Sequence, residues 1–565
     1  MMRSVVLSVL LLLAGVSSTW AQDPDSDPAL PEITPREIEI RGEYRVVFPS
    51  LERPTLQELQ PRTRVQALPL EGVPSASPIE FEVDALPPLN LDPPEADYGG
   101  RAPLPPLLSG MNGSLEVGGG RFTERRAATD LQLPVSARTS LQLEGDYEGM
   151  NGAQPFDDRD VRTAFDRGEG ALSLSHRGGT WGLTSSIDGG YQQYDLYGVN
   201  DGQPVPERSI GQLGTTHTLH VHEGLPLTWT LGYEAHDLET EDLTFSTQRF
   251  HTDLEATFDL SAIAVTLRGN ADVAGHGGNA AFSGDSRSGA LHGIVQIVDR
   301  PDLRVEGGAA ILGAATDEAP LGASTSNTYG APYGLVEWRF APMWMLYAEQ
   351  VPSITLHTPI DLLRTNPYMN ARPGLGATAR TLDATAGLQW APGPVQVDVH
   401  GGVASSPSRR FFTLASAPTY DAQYTYDAQY LDATTWTLGL DATLQAHARW
   451  FGTMAVSYTG GSVDAGDGLP FVPSAQGEAT VGYQFPERQA RLQFHLRGQG
   501  TRDLDATGEA TADGFVGVGL SGEVQIVPNI EVTAYVQDIG ANDMTEWPGY
   551  PQPTARVGAG LRLLW

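Results

Sequence analysis

The chain has 565 residues, no Cys and a formal net charge of −34, and all 35 of its basic residues are Arg. The lack of Cys excludes disulfides, a lipoprotein anchor and thiol chemistry. The acidic balance argues against a nucleic-acid partner. Beyond the N-terminus, no stretch has the roughly 18 continuous apolar residues of a membrane helix.

Residues 1–21 have the pattern of a secretory signal peptide. Arg3 supplies the positive start, residues 5–14 are apolar, and small residues precede a cleavage point after Ala21. We therefore expect export and removal of this segment.

Residues 22–108 have a different composition from the rest of the chain. Pro-Pro pairs stand at 87–88, 93–94 and 105–106. Because Pro lacks the backbone donor of a sheet ladder, we predict an extended periplasmic or lumenal segment. Ile38 and Ile40 alternate with Glu residues in one short run. This run either docks on the edge of a partner protein or packs as a local strand on its own barrel.

Residues 109–565 contain two-faced strands throughout. In residues 250–260, for example, Phe250, Leu254 and Phe258 share one face, and polar residues occupy the other. A soluble sheet would need a second layer, and the sequence has no amphipathic helices to supply it. Trp residues also stand at strand ends, as in the aromatic girdles of membrane barrels. The apolar faces are therefore expected to contact lipid and the polar faces to line a lumen.

Ten short turns alternate with eleven longer loops along this region. They predict an all-β fold: a transmembrane antiparallel β-barrel of about 22 strands, within a range of about 18–24. Because the first connection is a loop, both ends of the barrel are expected on the periplasmic side with the short turns. The long loops are then extracellular.

The end of the chain has two features of its own. The loop sequence Pro548-Gly-Tyr-Pro-Gln-Pro553 precedes a final alternating strand that ends on Trp565. This tail resembles the end of TonB-dependent receptor barrels. The resemblance implies an outer-membrane location, solute uptake, 22 strands and a TonB-like periplasmic partner. Trp565 is expected to close the barrel and to anchor it during insertion by the outer-membrane barrel-insertion machinery.

Such receptors carry a folded plug domain inside the lumen. Residues 22–108 are Pro-rich and show no plug-like pattern of strands. The chain therefore resembles the plug-lacking, receptor-like barrels of Bacteroidota-type bacteria, and energised transport does not follow from the resemblance.

Two features are candidates for ligand contact. The segment 420–430 repeats Tyr-Asp-Ala-Gln-Tyr, with rings at Tyr420, Tyr424, Tyr426 and Tyr430. These rings form either a stacking surface for a sugar or aromatic ligand or the interfacial part of a tall strand. The longest loop, residues 353–379, carries Arg364, Tyr368 and Arg372. It is either a constriction inside the lumen or a cap outside it.

No catalytic, metal-binding or cofactor-binding set is predicted, since Asp, Glu and His are scattered over lumenal positions. The leading hypothesis is an outer-membrane barrel for solute passage or uptake, surrounded by outer-membrane lipid. The alternative is a structural or assembly protein whose N-terminal segment docks a periplasmic partner. An enzyme is not expected.

Overall fold

The structure is a computed structural model. It describes residues 112–153, 163–198, 205–222, 226–240, 244–260, 263–278, 284–317, 325–370, 375–415, 425–447, 449–539, 545–551 and 555–565. The predicted signal peptide and the Pro-rich segment 22–108 lie outside these residues.

The strands, in chain order, are β1 (Asn112–Gly120), β2 (Glu124–Ser136), β3 (Thr139–Ala153), β4 (Thr163–Arg177), β5 (Trp181–Asp195), β6 (Glu207–Val221), β7 (Leu227–Thr240), β8 (Thr244–Asp259), β9 (Ala264–Gly278), β10 (Gly284–Arg300), β11 (Leu303–Asp317), β12 (Thr325–Ala341), β13 (Trp344–Gln350), β14 (Ser353–His357), β15 (Gly376–Arg380), β16 (Leu382–Trp390), β17 (Val395–Leu414), β18 (Tyr426–His447), β19 (Trp450–Val463), β20 (Ala475–Phe485), β21 (Ala490–Gln499), β22 (Arg502–Asp503), β23 (Thr511–Ala512), β24 (Phe515–Val527), β25 (Ile530–Ile539), β26 (Thr545–Trp547), β27 (Tyr550–Pro551) and β28 (Arg556–Leu564). One helix, α1 (Pro359–Thr365), and one 3-10 turn, Pro486–Arg488, complete the described elements.

The main sheet is a closed antiparallel barrel. It contains 24 strands, of which β14 and β15 form an inner hairpin and the other 22 form the wall. The first and last strands close the ring, with register partners from Ser114↔Leu564 to Gly120↔Gly558. The predicted fold class and strand number are confirmed.

Wall residues alternate between two environments, as period-2 strands require. Outward positions are exposed and apolar: Val557, Leu561 and Leu563 of β28 are 45%, 51% and 42% exposed. Inward positions carry the polar and charged residues. Most of the Trp residues that face outward lie on the strand ends next to the short turns, namely Trp181, Trp229, Trp338, Trp344, Trp390 and Trp450.

The ten predicted short turns and eleven predicted loops fall at the wall connections, although two of those loops, between β1 and β2 and between β7 and β8, have only three residues each. One end of the barrel, the short-turn end, therefore carries only tight connections, and the other, the long-loop end, carries the long ones. Strand length varies around the ring: β1 and β28 have 9 residues each, whereas β17 and β18 have 20 and 22. In the described part of the chain, no helix combines the length and the apolar character needed to cross a membrane.

Candidate functional site

The connection from β13 to β16, residues 351–381, is called here the crossing loop, and the structure describes it except for 371–374. Strand β14 lies near its start and strand β15 near its end, and the two pair as an antiparallel hairpin. The apolar contact between the hairpin and the wall consists of Ile354, Leu356, Ala377 and Ala379 on the hairpin and Ala274, Ala290, Ala310 and Leu312 on the wall. These wall residues alternate with outward-facing Val273 and Ile311. The hairpin therefore lies inside the barrel.

The helix α1 follows the hairpin strand β14 and starts at a capping box. Asp361 Oδ2 accepts hydrogen bonds from the Thr358 backbone N–H at 2.9 Å and from the Thr358 hydroxyl at 2.8 Å. Pro359 occupies the first helical turn, where no donor is needed. Ile360, Leu362 and Leu363 are buried. The cap fixes the start of the helix. The apolar side of the helix packs into the long-loop end of the lumen.

Beyond α1, the crossing loop reaches two opposite walls. Arg208 of β6 is fully buried and donates to the backbone oxygens of Pro367 at 2.7 Å and Met369 at 2.8 Å. The next residue, Asn370, donates its backbone N–H to the backbone oxygen of Tyr426, in β18, at 2.8 Å. β6 and β18 are separated by nine wall strands in one direction and eleven in the other. The loop therefore spans the mouth of the barrel between opposite sides of the ring.

An aromatic cluster packs around the loop where it crosses the mouth. Tyr368 stacks on Tyr550 with ring centroids 3.4 Å apart, and Tyr197 meets Tyr550 edge-on at 5.2 Å. The Tyr426 hydroxyl donates to the Pro548 oxygen at 2.7 Å. Burial raises the pKa of Tyr197 to about 12 and raises that of Tyr368 as well. These phenols therefore stay protonated and act as hydrogen-bond donors at neutral pH.

Charged groups also join the crossing loop to the wall. Arg249 of β8 binds Asp272 of β9 through two nitrogens, at 2.9 and 2.7 Å. The same guanidinium lies 3.7 Å from the Asp361 carboxylate of α1. Glu234 of β7 lies 3.9 Å from it as well, so this wall residue has two carboxylate partners on the wall and one on the loop.

His357, at the end of β14, lies between the hairpin and the wall. Its Nε2 is 2.9 Å from the Thr378 hydroxyl, and its Nδ1 is 3.4 Å from an Arg410 nitrogen. Because Arg410 can only donate, Nδ1 accepts and Nε2 carries the proton. Burial, followed by the nearby Arg410, Arg249 and Arg380, lowers the pKa of His357 well below its usual value.

The predicted ligand-contact residues take different places in this arrangement. Arg364 is exposed at the end of α1 and donates to the Gln212 side chain. Tyr368 is enclosed in the aromatic cluster. Tyr426 is fully buried there, and the Tyr430 ring packs against His357 with centroids 6.0 Å apart. Ligand contact at these residues stays a prediction, and at Tyr368 and Tyr426 it requires the cluster to open.

The other predicted positions need less comment. Tyr420, Tyr424, Arg372, Ile38 and Ile40 lie outside the described residues. The Trp565 backbone exchanges two hydrogen bonds with Gly113, at 3.1 and 3.2 Å, so the last residue takes part in closing the ring. Its role in insertion stays a prediction.

Sequence reasoning left the placement of the longest loop open and missed α1 and Arg208. The helix had a readable signal in Thr358-Pro-Ile-Asp361, which has the spacing of a capping box with Pro at the first position. No comparable signal marks Arg208, whose partners lie about 160 residues away, at separations of 159 and 161.

Neither a scan against protein-family models nor a search of curated protein sequences finds a match. Solved structures do match. The FrpB iron transporter from Neisseria meningitidis is 10% identical with a TM-score of 0.63, and the match covers 81% of this chain and 82% of that chain. The likeness is one of fold. The copper transporter OprC is 13% identical with a TM-score of 0.61, over 81% and 80% of the two chains. BauA, the ferric preacinetobactin receptor from Acinetobacter baumannii, is 8% identical with a TM-score of 0.60, over 80% of each chain.

Proposed function

We propose that the chain is an outer-membrane barrel for the passage or uptake of a solute, and that the crossing loop is its gate. The observation that carries the proposal is the double attachment of the loop to Arg208 on one wall and Tyr426 on the other. A barrel of this size without an internal obstruction would be a wide pore. A loop that closes the mouth gives the protein control over what enters.

Two further observations support this function. The apolar outer surface and the row of Trp residues at the short-turn end are what a membrane barrel presents to lipid. The barrels of similar fold include proteins described as iron and copper transporters and a ferric preacinetobactin receptor. We propose that the long loops are extracellular and that the short turns face the periplasm.

The proposal extends to the partners and to the N-terminal region. A TonB-like or other periplasmic protein would act on the N-terminal segment, and the barrel-insertion machinery would assemble the wall. The Pro-rich composition of residues 22–108 supports a chain of the Bacteroidota type without a standard plug. The same composition suits an extended segment that enters the lumen from the short-turn end.

The gate can be tested by locking it. Ala379 of the hairpin and Ser408 of β17 are register partners, and the chain has no native Cys. A379C/S408C should form a disulfide, because paired residues in antiparallel strands lie about 4.5–5.5 Å apart at Cα. In planar bilayers, oxidation should lower the conductance, and reductant should restore it.

A matched control places the disulfide within the wall. Thr218 and Thr230 are lumenal register partners on β6 and β7, and their hydroxyls lie 3.1 Å apart. T218C/T230C should conduct equally in both redox states. Deletion of residues 22–108, measured in the same assay, shows whether the N-terminal segment adds a second obstruction.

The competing function is a structural or assembly protein of the outer membrane. A mouth closed by Arg208 and the aromatic cluster also suits a scaffold that conducts nothing. A barrel that stays closed in the wild type, in the reduced lock variant and after deletion of 22–108 would favour the scaffold. Solute-dependent conductance in any of them favours the gate.

A further inference from the structure

One imidazole and two carboxylates converge on the inner wall near the short-turn end. Asp398 and His400 lie on β17, and Asp441 lies on β18 directly opposite Asp398. His400 Nδ1 is 3.0 Å from Asp398 Oδ1 and 3.5 Å from Asp441 Oδ2. One ligand atom from each residue lies within 4.8 Å of the other two.

Two glycines give this group its geometry. The His400 ring lies over Gly439, where an added Cβ would come within 2.1 Å of the ring. Tyr347 of β13 lies over Gly387 in the same way, and its hydroxyl donates to Asp398 Oδ1 at 2.9 Å. Both rings can therefore lie flat on the wall and aim their polar atoms at the carboxylates.

The charge balance of this group differs from that of many carboxylates on the inner wall. Several of those are paired with Arg; the pairs include Glu116–Arg562, Asp272–Arg249, Glu255–Arg268, Glu306–Arg304, Glu523–Arg491 and Asp538–Arg497. Among the described residues, only His400 forms an ion pair with Asp398 or Asp441. Like charges directly opposite in a sheet repel each other. A protonated His400 would balance only one of the two carboxylates.

We infer that Asp398, His400 and Asp441 bind a divalent transition-metal cation in the lumen. Ligand bonds of about 2.0–2.2 Å place neighbouring ligand atoms about 3.0–3.5 Å apart, and the two distances from His400 Nδ1 fall in this range. Imidazole together with carboxylate suits zinc, iron or manganese better than a hard calcium site of oxygens alone. The remaining coordination positions face the lumen.

Cation binding at this site does not depend on whether the crossing loop is a gate. Tyr347 is a positioning residue, because its hydroxyl donates to the ligand Asp398 and it is not itself one of the three ligands. Donors of this kind hold a ligating carboxylate in place, and their removal weakens metal binding about 10–100-fold.

The test uses the full-length mature protein in detergent. Co²⁺ is added and followed by its visible absorption, and bound Zn²⁺ is counted by elemental analysis after desalting. We expect one cation per chain in the wild type. Asp441→Asn and His400→Asn should each weaken binding by about 100-fold or more, and Tyr347→Phe by about tenfold.

The matched control is His495→Asn. His495 is also lumenal, but its partners are the hydroxyls of Thr480 and Ser521, at 3.1 and 2.9 Å. This variant should bind Co²⁺ like the wild type. Heat-modifiable migration on gels shows that each variant retains its barrel. A wild type without a Co²⁺ spectrum overturns the inference, as does a folded His400→Asn variant with unchanged affinity or an equal loss in His495→Asn.

Discussion

Arg208 and Tyr426 stand on opposite walls of the barrel, and the consecutive residues Met369 and Asn370 hydrogen-bond to one each. The crossing loop is therefore held from two sides, and release at either side loosens the closure. The contacts on the Arg208 side are charge-assisted, and the Arg208 side chain is fully buried. They should contribute most to the closed state.

Replacing Arg208 with Ala should open the mouth. The variant loses two hydrogen bonds from a charged donor, each worth about 1.5–3 kcal/mol. A loss of about 3 kcal/mol corresponds to roughly a 100-fold rise in the open-to-closed ratio. Single-channel open probability measures it. Arg364→Ala is the control, because Arg364 is exposed and, among the residues that the structure describes, hydrogen-bonds to the Gln212 side chain alone. Equal effects of the two variants would contradict the assignment.

Replacing Thr358 with Ala should unravel the start of α1. The variant loses the hydroxyl of the capping box, which is worth about 0.5–2 kcal/mol. Amide hydrogen exchange across residues 359–366 should become about 2- to 30-fold faster. Thr365→Ala serves as the control, since the Thr365 hydroxyl bonds to the Asp361 oxygen within the helix and caps nothing. The idea fails if exchange accelerates as much in the control.

Acid should loosen the hairpin through His357. Its folded-state pKa is lowered by burial and by Arg410, so the unfolded or detached state binds a proton more readily. The hairpin is therefore stable above the ordinary His pKa of about 6.5 and loses stability as the pH falls below it. Hydrogen exchange of β14 and β15 should accelerate between about pH 7.5 and pH 5. In His357→Gln, which can both donate to Thr378 and accept from Arg410, this dependence should flatten. A steep dependence in the variant would point to another group.

Deleting Trp565 should impair insertion. The residue forms the last backbone hydrogen bonds of the closing pair, with Gly113, and it is the terminal aromatic residue of the wall. The yield of heat-modifiable barrel in the outer-membrane fraction should fall. Trp450→Phe, which changes an exposed aromatic residue of the same end without shortening a strand, should insert normally. An unchanged yield in the outer-membrane fraction after the deletion would contradict the prediction.

The wall was predictable because each strand carries its own signal. Alternation fixes the two faces, as in Leu561 and Leu563, and turn residues separate the strands. The position of the crossing loop was not predictable, because its partners are distant in sequence. The Tyr194 hydroxyl, for example, donates to the backbone oxygen of Pro367, 173 positions away. The wall residues that contact the hairpin are also mainly Ala, and Ala is too weakly hydrophobic for the sequence to predict a contact there. Whether His400 would converge with Asp441 depended on strand register, which sequence alone does not provide.

The unequal strand lengths give the barrel a sloping rim. At about 3.3 Å per residue and a tilt of about 40°, β18 with its 22 residues rises roughly 55 Å, while β1 with its 9 rises only about 23 Å. The apolar band of such barrels is about 25 Å tall. The wall at β1 and β28 thus ends near the level of the lipid headgroups, whereas the wall at β17 and β18, with six wall strands between β18 and β1 by the shorter path, stands far above them. We expect antibodies and other large surface ligands to recognise the tall side, and molecules that travel along the membrane surface to reach the mouth over the low one.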